Sequence, residues 1–292
     1  LPSHATYAMA MLHARYYDAA RRDYDAARAC IGPSQAFNDR LPASETSAVN
    51  HAFLMNTMAL VEMRKKHEAA ALDLLDEALA YMRREAPGRY LLECGILLHN
   101  RARLHIAGRR IAEAIDDLTA LLEVEPWNCA VYFDRGLVQQ RAGCYDAALE
   151  NYDSAIRWSP PYWEAHFNRA QVLTALGRAE EAVADYDRVL VLHPRHLETL
   201  INRGRLHFAA DRFDAAEDDA AEALRLDAAN ARALCLRGLL AMARKEIDAA
   251  DRDFCAAIAA DPGLADAWAN RATVHFKTGR FAAALADIDR AL

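Results

Sequence analysis

Six arginines, Arg101, Arg135, Arg169, Arg203, Arg237 and Arg271, recur every 34 residues. Sixteen residues after each stands Asp117, Asn151, Asp185, Asp219, Asp253 or Asp287. A guanidinium presents a planar fork of donors that matches both oxygens of a carboxylate or phosphate, which a lysine ammonium cannot do. Two chemistries are open. As free cations, the arginines form a ladder for an anionic ligand. As the pairs Arg101–Asp117, Arg169–Asp185, Arg203–Asp219, Arg237–Asp253 and Arg271–Asp287, they fix the register of two facing helices. Each cation arrives with its own anion, which favours pairing, within one repeat or with the one beside it. Arg135 faces the neutral Asn151 and is the best candidate for a free arginine.

Other chemistry is sparse. His105, His207 and His275 share one phase of the period, so they fall in different repeats and read as packed core residues. His193 and His196 flank Pro194-Arg195 without a third ligand, so no metal is expected. The six cysteines form no C-x-x-C pair and read as reduced thiols of a cytoplasmic protein. Phosphate loops, glycine-rich dinucleotide turns, G-x-S-x-G and H-E-x-x-H are absent, and Glu180-Glu181 and Asp218-Asp219 read as solvated helix faces. The expectation is therefore no enzyme and no cofactor. A net charge of −7 with both signs intermixed disfavours a nucleic-acid scaffold. No apolar run approaches membrane-spanning length, so no membrane partner is expected.

The elements that carry these residues follow from the period. With Cys129 as position 1, position 8 is always small (Ala102, Gly136, Ala170, Gly204, Gly238, Ala272). Position 20 is always alanine (Ala114, Ala148, Ala182, Ala216, Ala250, Ala284). Large residues recur at position 24 (Leu118, Tyr152, Tyr186, Phe254, Ile288), and proline at position 32 (Pro126, Pro160, Pro194, Pro262). Apolar residues at helical spacing on either side of a polar turn predict two antiparallel helices per repeat. Small residues at 8 and 20 let them approach, and proline ends the second. One hairpin cannot bury both faces, so neighbours must stack. Residues 95–292 give six regular repeats, the last incomplete. Residues 1–94 give two irregular copies, 1–34 and 52–85, with insertions at 35–51 and 86–94 and Ser44 as a helix cap. The final copy stops at Leu292 before its proline, so the sequence reads as a piece of a longer protein.

These positions, with Tyr132, Leu200, Leu234 and Trp268 at position 4 and Tyr145 or Phe213 at position 17, resemble the tetratricopeptide repeat family. Segments such as Asn100-Arg101-Ala102 and Asn202-Arg203-Gly204 resemble its bacterial Asn-Arg-Gly/Ala type, and the early copies resemble its expanded repeats. The resemblance implies an all-α, right-handed superhelical solenoid of about eight antiparallel helix pairs. It also implies a concave groove lined by positions 2, 5, 9, 12 and 13 of the first helices. On this chain those are His99, Arg103, Ile106, Phe133, Leu137, Gln140, Arg141, Phe167, Gln171, Thr174, Ile201, Arg205, Phe208, Leu239, Met242 and Phe276. The stripe suits a protein or peptide partner, an amphipathic helix or an extended segment with apolar anchors and some acidic character. The family's C-terminal carboxylate clamp is not supported: His99 and Arg103 are followed by Asp134, Glu164 and Asn168, and the acidic residues would repel a carboxylate. The function implied is a non-catalytic adaptor in a bacterial cytoplasm. The alternatives are the sensing arm of a transcriptional or signalling protein, or the targeting arm of an enzyme.

Overall fold

The computed structural model describes residues 45–88 and 91–292, and among them all regular structure is helical. The helices are α1 (Glu45–Arg64), α2 (Glu68–Glu85), α3 (Leu91–Ala107), α4 (Ile111–Val124), α5 (Cys129–Arg141), α6 (Tyr145–Trp158) and α7 (Trp163–Ala175). They continue as α8 (Ala179–Leu192), α9 (Leu197–Ala209), α10 (Phe213–Leu226), α11 (Ala231–Ala243), α12 (Ile247–Ala260), α13 (Ala265–Lys277) and α14 (Phe281–Ala291). Consecutive odd and even helices pair as hairpins. The chain forms two compact units, one ending at Ser159 and the other running from Pro160 to Leu292. Within each unit, the second helix of a hairpin packs on the first helix of the next.

The irregular copies depart from expectation in detail. Helix α1 starts at Glu45, so part of the expected 35–51 insertion is helical. Helix α3 starts at Leu91, four residues before the regular repeat, and takes in part of the 86–94 insertion. The first irregular copy and the Ser44 cap lie outside the described residues.

Small residues sit where the paired helices come closest. The six position-20 alanines are at most 5% exposed. Position 24 fills the space that a small position 8 leaves: Tyr152 lies over Gly136 and Phe254 over Gly238, and both rings are fully buried. In the α9–α10 hairpin, position 24 is Ala220, and Leu236 from α11 fills the gap over Gly204 instead. Ile288, on α14, is 45% exposed.

Proline is not required to end the second helix. Helix α10 stops at Leu226 in the copy that lacks it, in register with its neighbours. There Asp227 Oδ1 accepts from the Ala229 N–H, a local turn that competes with another helical residue. The first helices α5, α9 and α11 are capped by Asn128, His196 and Asn230, whose side chains accept from the backbone N–H three residues on.

The turn inside each regular hairpin needs one left-handed residue at position 15. Gly143, Gly177 and Gly279 supply it at φ 76°, 74° and 76°. Arg109, Asp211 and Lys245 occupy the same place at φ 57°, 56° and 66°, where a Cβ is strained. Lys245→Gly is therefore expected to stabilise the protein by about 0.5–1 kcal/mol, the relief of strain exceeding the added entropy of the unfolded chain. Urea denaturation should show a higher midpoint at unchanged slope. An unchanged or lower midpoint would mean that the turn carries no such strain.

Candidate binding face and the ion-pair lattice behind it

Five of the six arginines close a fork on the aspartate of their own hairpin. Arg101, Arg169, Arg203, Arg237 and Arg271 donate from Nε at 2.7–3.0 Å and from Nη2 at 2.5–2.6 Å to the two oxygens of Asp117, Asp185, Asp219, Asp253 and Asp287. Asp117, Asp185, Asp219 and Asp287 are buried. Hydrogen bonds donated to Asp117 and Asp287 hold Arg101 and Arg271 still more firmly protonated than usual. Burial alone would raise the Asp185 carboxyl, but bonds from Arg169 and His166 outweigh it and hold that group below its usual range.

A third member completes several rungs. Nη1 of three of these arginines turns to position 25 of the preceding second helix: Arg101 to Asp76 at 2.6 Å, Arg203 to Asp187 at 2.6 Å and Arg271 to Cys255 Sγ at 3.4 Å. Arg135 is engaged as well, donating to Asn151 Oδ1 at 2.9 Å and Thr119 Oγ1 at 3.0 Å. Arg135 is thus not a free arginine, although burial without a carboxylate pushes its pKa down. The loosest rung is Arg237, half-exposed, where position 25 is Ala221.

The position-11 histidines belong to the same lattice. His105 Nε2 lies 3.7 Å from Asp117, and His275 Nε2 lies 3.4 Å from Asp287. Arg110 Nε donates to His105 Nδ1 at 3.1 Å, which sets that ring as a neutral Nε2–H tautomer. Burial pushes His105 and His207 below the ordinary histidine pKa. Where Asn151 replaces aspartate, Gln139 replaces histidine and accepts from Asn151 Nδ2 at 2.7 Å. Among the described residues no three His, Cys, Asp or Glu side chains could hold a metal, and no helix is long and apolar enough to cross a membrane.

The face opposite this lattice is where the groove residues were expected. In the first unit Arg103 and Arg141 are exposed, while His99, Ile106, Phe133, Leu137 and Gln140 are half-buried. Gln140 accepts from the Tyr152 hydroxyl at 2.6 Å, and the Phe133 ring lies 6.0 Å from that of Tyr152. Burial raises the Asp134 carboxyl, while His99 and Arg103 on α3 of the neighbouring hairpin pull it back.

In the second unit Thr174, Arg205 and Phe276 are exposed, and Gln171, Phe208, Leu239 and Met242 are half-buried. Phe167 and Ile201 offer little surface, at 8% and 1% exposed. Position 5 there fills the seam between neighbouring hairpins: Phe167 packs on Tyr186 and edge-on against His196, and Ile201 joins Leu200, Ala223 and Ala233. Phe208 and Phe276 fold back on Phe213 and Phe281 across their own turns, at 5.7 and 5.6 Å between ring centres.

Two cavities open side by side on this face and share Arg205. One, of about 440 Å³, is lined by Gln171, Thr174, Tyr186, Asn202, Arg205, Leu206 and Ala209. The other, of about 240 Å³, is lined by Arg205, Arg232, Cys235, Leu236, Leu239, Leu264, Asp266, Ala269 and Asn270. Asn202 and Asn270 were missed as members of the face. Their signal was present in the Asn-Arg pairs, which drew attention to the arginine alone.

Stacked antiparallel helix pairs on a 34-residue period, with cavities along the first helices, define a helical-repeat scaffold, a class that is generally non-catalytic. The family model for the tetratricopeptide repeat matches residues 133–196 and 238–292 and supports that family for this chain. A tetratricopeptide repeat protein from Parabacteroides merdae is 29% identical, with a TM-score of 0.61 over 66% of this chain and 77% of its own. The C-terminal part of a repeat-containing protein from Cytophaga hutchinsonii, 13% identical, has a TM-score of 0.68 over 90% of this chain and 98% of its own. PilW, a type IV pilus biogenesis factor, is 20% identical, with a TM-score of 0.57 over 66% of this chain and 90% of its own. No curated protein matches the sequence.

Proposed function

We propose that the protein is a scaffold that holds a protein or peptide segment on the first-helix face of the unit Pro160–Leu292. The observation that carries this reading is the pair of adjoining cavities around Arg205, each large enough for a side chain and open to solvent. Arg169, Arg203 and Arg271, candidates for a separate anion ladder, are closed on their own aspartates. A bacterial cytoplasm is the setting that the composition and reduced cysteines support. Photo-crosslinking in cells tests the reading, with p-benzoylphenylalanine placed at Thr174 or Leu239 and, as a comparison, at the exposed Arg188 of α8. A polypeptide crosslinked from the two face positions and absent from Arg188 is the expected result. Crosslinks from Arg188 alone would move the interface to the second helices.

A further inference from the structure

The α11–α12 hairpin departs from the other regular hairpins at four positions on the lattice side. Two side chains are cut back to alanine. Position 11, which is histidine, glutamine or leucine in the others, is Ala241. Position 25 of the preceding second helix, which gives Arg101 and Arg203 their third partner, is Ala221. Two cations are added. Position 14 is Arg244, where the others have glycine, alanine, leucine or threonine, and position 22 is Arg252, where they have aspartate, glutamate or alanine.

Ala241, Arg244 and Arg252 line a cavity of about 340 Å³ together with Arg237, Glu217 and Asp253. Two of its carboxylates are already held. Asp253 takes the Arg237 fork, and Glu217 accepts from both Nη1 and Nη2 of Arg244. Glu246, the third, is exposed, and its charge acts on Arg244. Arg252 is exposed and has no ion-pair partner among the described residues, and Nη1 of Arg237 has no acceptor among them. The complete rungs show what belongs at that arm: Nη1 of Arg203 donates to an oxyanion, Asp187, at 2.6 Å.

We propose that this cavity binds a phosphate group, which supplies the acceptor that Ala221 cannot. One carboxylate plane serves one guanidinium fork, as in each rung. Here three guanidinium groups, on α11, at its C-terminal end and on α12, border one cavity, and a tetrahedral oxyanion can accept from several directions. A phosphate monoester carries more than one negative charge at neutral pH and several strong acceptor oxygens. The phosphate can be a free ion or be carried on a phosphorylated side chain. The site lies on the lattice side, away from the first-helix face, and does not depend on the groove reading.

Ligand-observed NMR titrations of the full chain test this with inorganic phosphate, acetyl-Gly-phosphoserine-Gly-amide and the same peptide with unmodified serine. At least one phosphate probe is expected to bind about tenfold or more tightly than the serine peptide, and the tighter of the two names the source. Arg252→Gln should weaken that binding about tenfold, since it removes a cation without a described partner. Ala221→Asp should weaken it as much without removing any cation, because the new carboxylate takes Nη1 of Arg237 as Asp187 takes that of Arg203. Neither change should lower the melting temperature. Arg188→Gln, at an exposed arginine of α8 outside the cavity, should leave binding unchanged. No preference for either phosphate probe over the serine peptide, binding that survives either cavity variant, or equal weakening by Arg188→Gln would overturn the proposal.

Discussion

Arg203→Ala is expected to destabilise the protein by about 3–5 kcal/mol, because it strands a buried carboxylate. Asp219 is 2% exposed and takes both Nε and Nη2 of Arg203, whose Nη1 reaches across to Asp187 on the preceding hairpin. Without the guanidinium, Asp219 must either take up a proton or draw water into the seam between α9 and α10. The same change at Arg237 should cost about 1 kcal/mol or less: that side chain is half-exposed and has Ala221 where a third partner would stand. Arg203→Lys keeps the charge but not the fork, and should fall between. Replacing both partners, as Arg203→Leu/Asp219→Leu, removes the stranded charge and should cost less than Arg203→Ala alone. Urea unfolding at neutral pH measures all four. Equal losses at Arg203 and Arg237 would show that burial of the carboxylate does not set the cost.

The hairpins were legible because they rest on spacing within one repeat. Alanine at position 20 and a small residue at position 8 report the close approach of two helices, and that approach is local to 34 residues of chain. The third arm of each rung was not legible for the opposite reason. It depends on position 25 of the preceding hairpin, where aspartate (Asp76, Asp153, Asp187) is only three of six and Thr119, Ala221 and Cys255 break the pattern. A periodicity search sees only what is repeated. Arg135 therefore looked free when Thr119 already held it, and Arg237 looked paired like the rest when it is the loosest.

The candidate face was legible in outline and misplaced at two residues. Positions taken from the family's pattern put Phe167 and Ile201 on the surface, but a large side chain at position 5 covers more apolar area by sinking into the seam between hairpins. Arginine at position 9 cannot sink without a partner, so Arg205 stays out and separates two cavities. Asn202, the residue before Arg203, is on the same helix but turned by about 100°, the rotation of one helical residue, and lines the larger cavity. Asn202 consequently meets Arg232 on the groove side while Arg203 serves the lattice.

Gly238→Ala is expected to destabilise the protein by about 1–3 kcal/mol, although alanine in a helix interior ordinarily gains about 1 kcal/mol over glycine. The reversal of sign is the point of the experiment. A Cβ at position 238 would lie 2.6 Å from Phe254 Cε1 and 3.0 Å from Cδ1, and Phe254 is fully buried, with no open space to retreat into. The repeat already holds alanine at position 8 with leucine at position 24, as Ala102 and Leu118, both buried in the α3–α4 hairpin. Adding Phe254→Leu should therefore recover part of what Gly238→Ala loses, even though Phe254→Leu alone opens a void and is destabilising in its own right. A double-mutant cycle read by urea unfolding should give a double variant more stable than the sum of the two single changes, with a coupling of about 0.5–3 kcal/mol. Strict additivity, or a gain in stability from Gly238→Ala, would show that α11 and α12 separate freely. Positions 8 and 24 would then have to be read as helix-forming choices rather than as two halves of one packing contact.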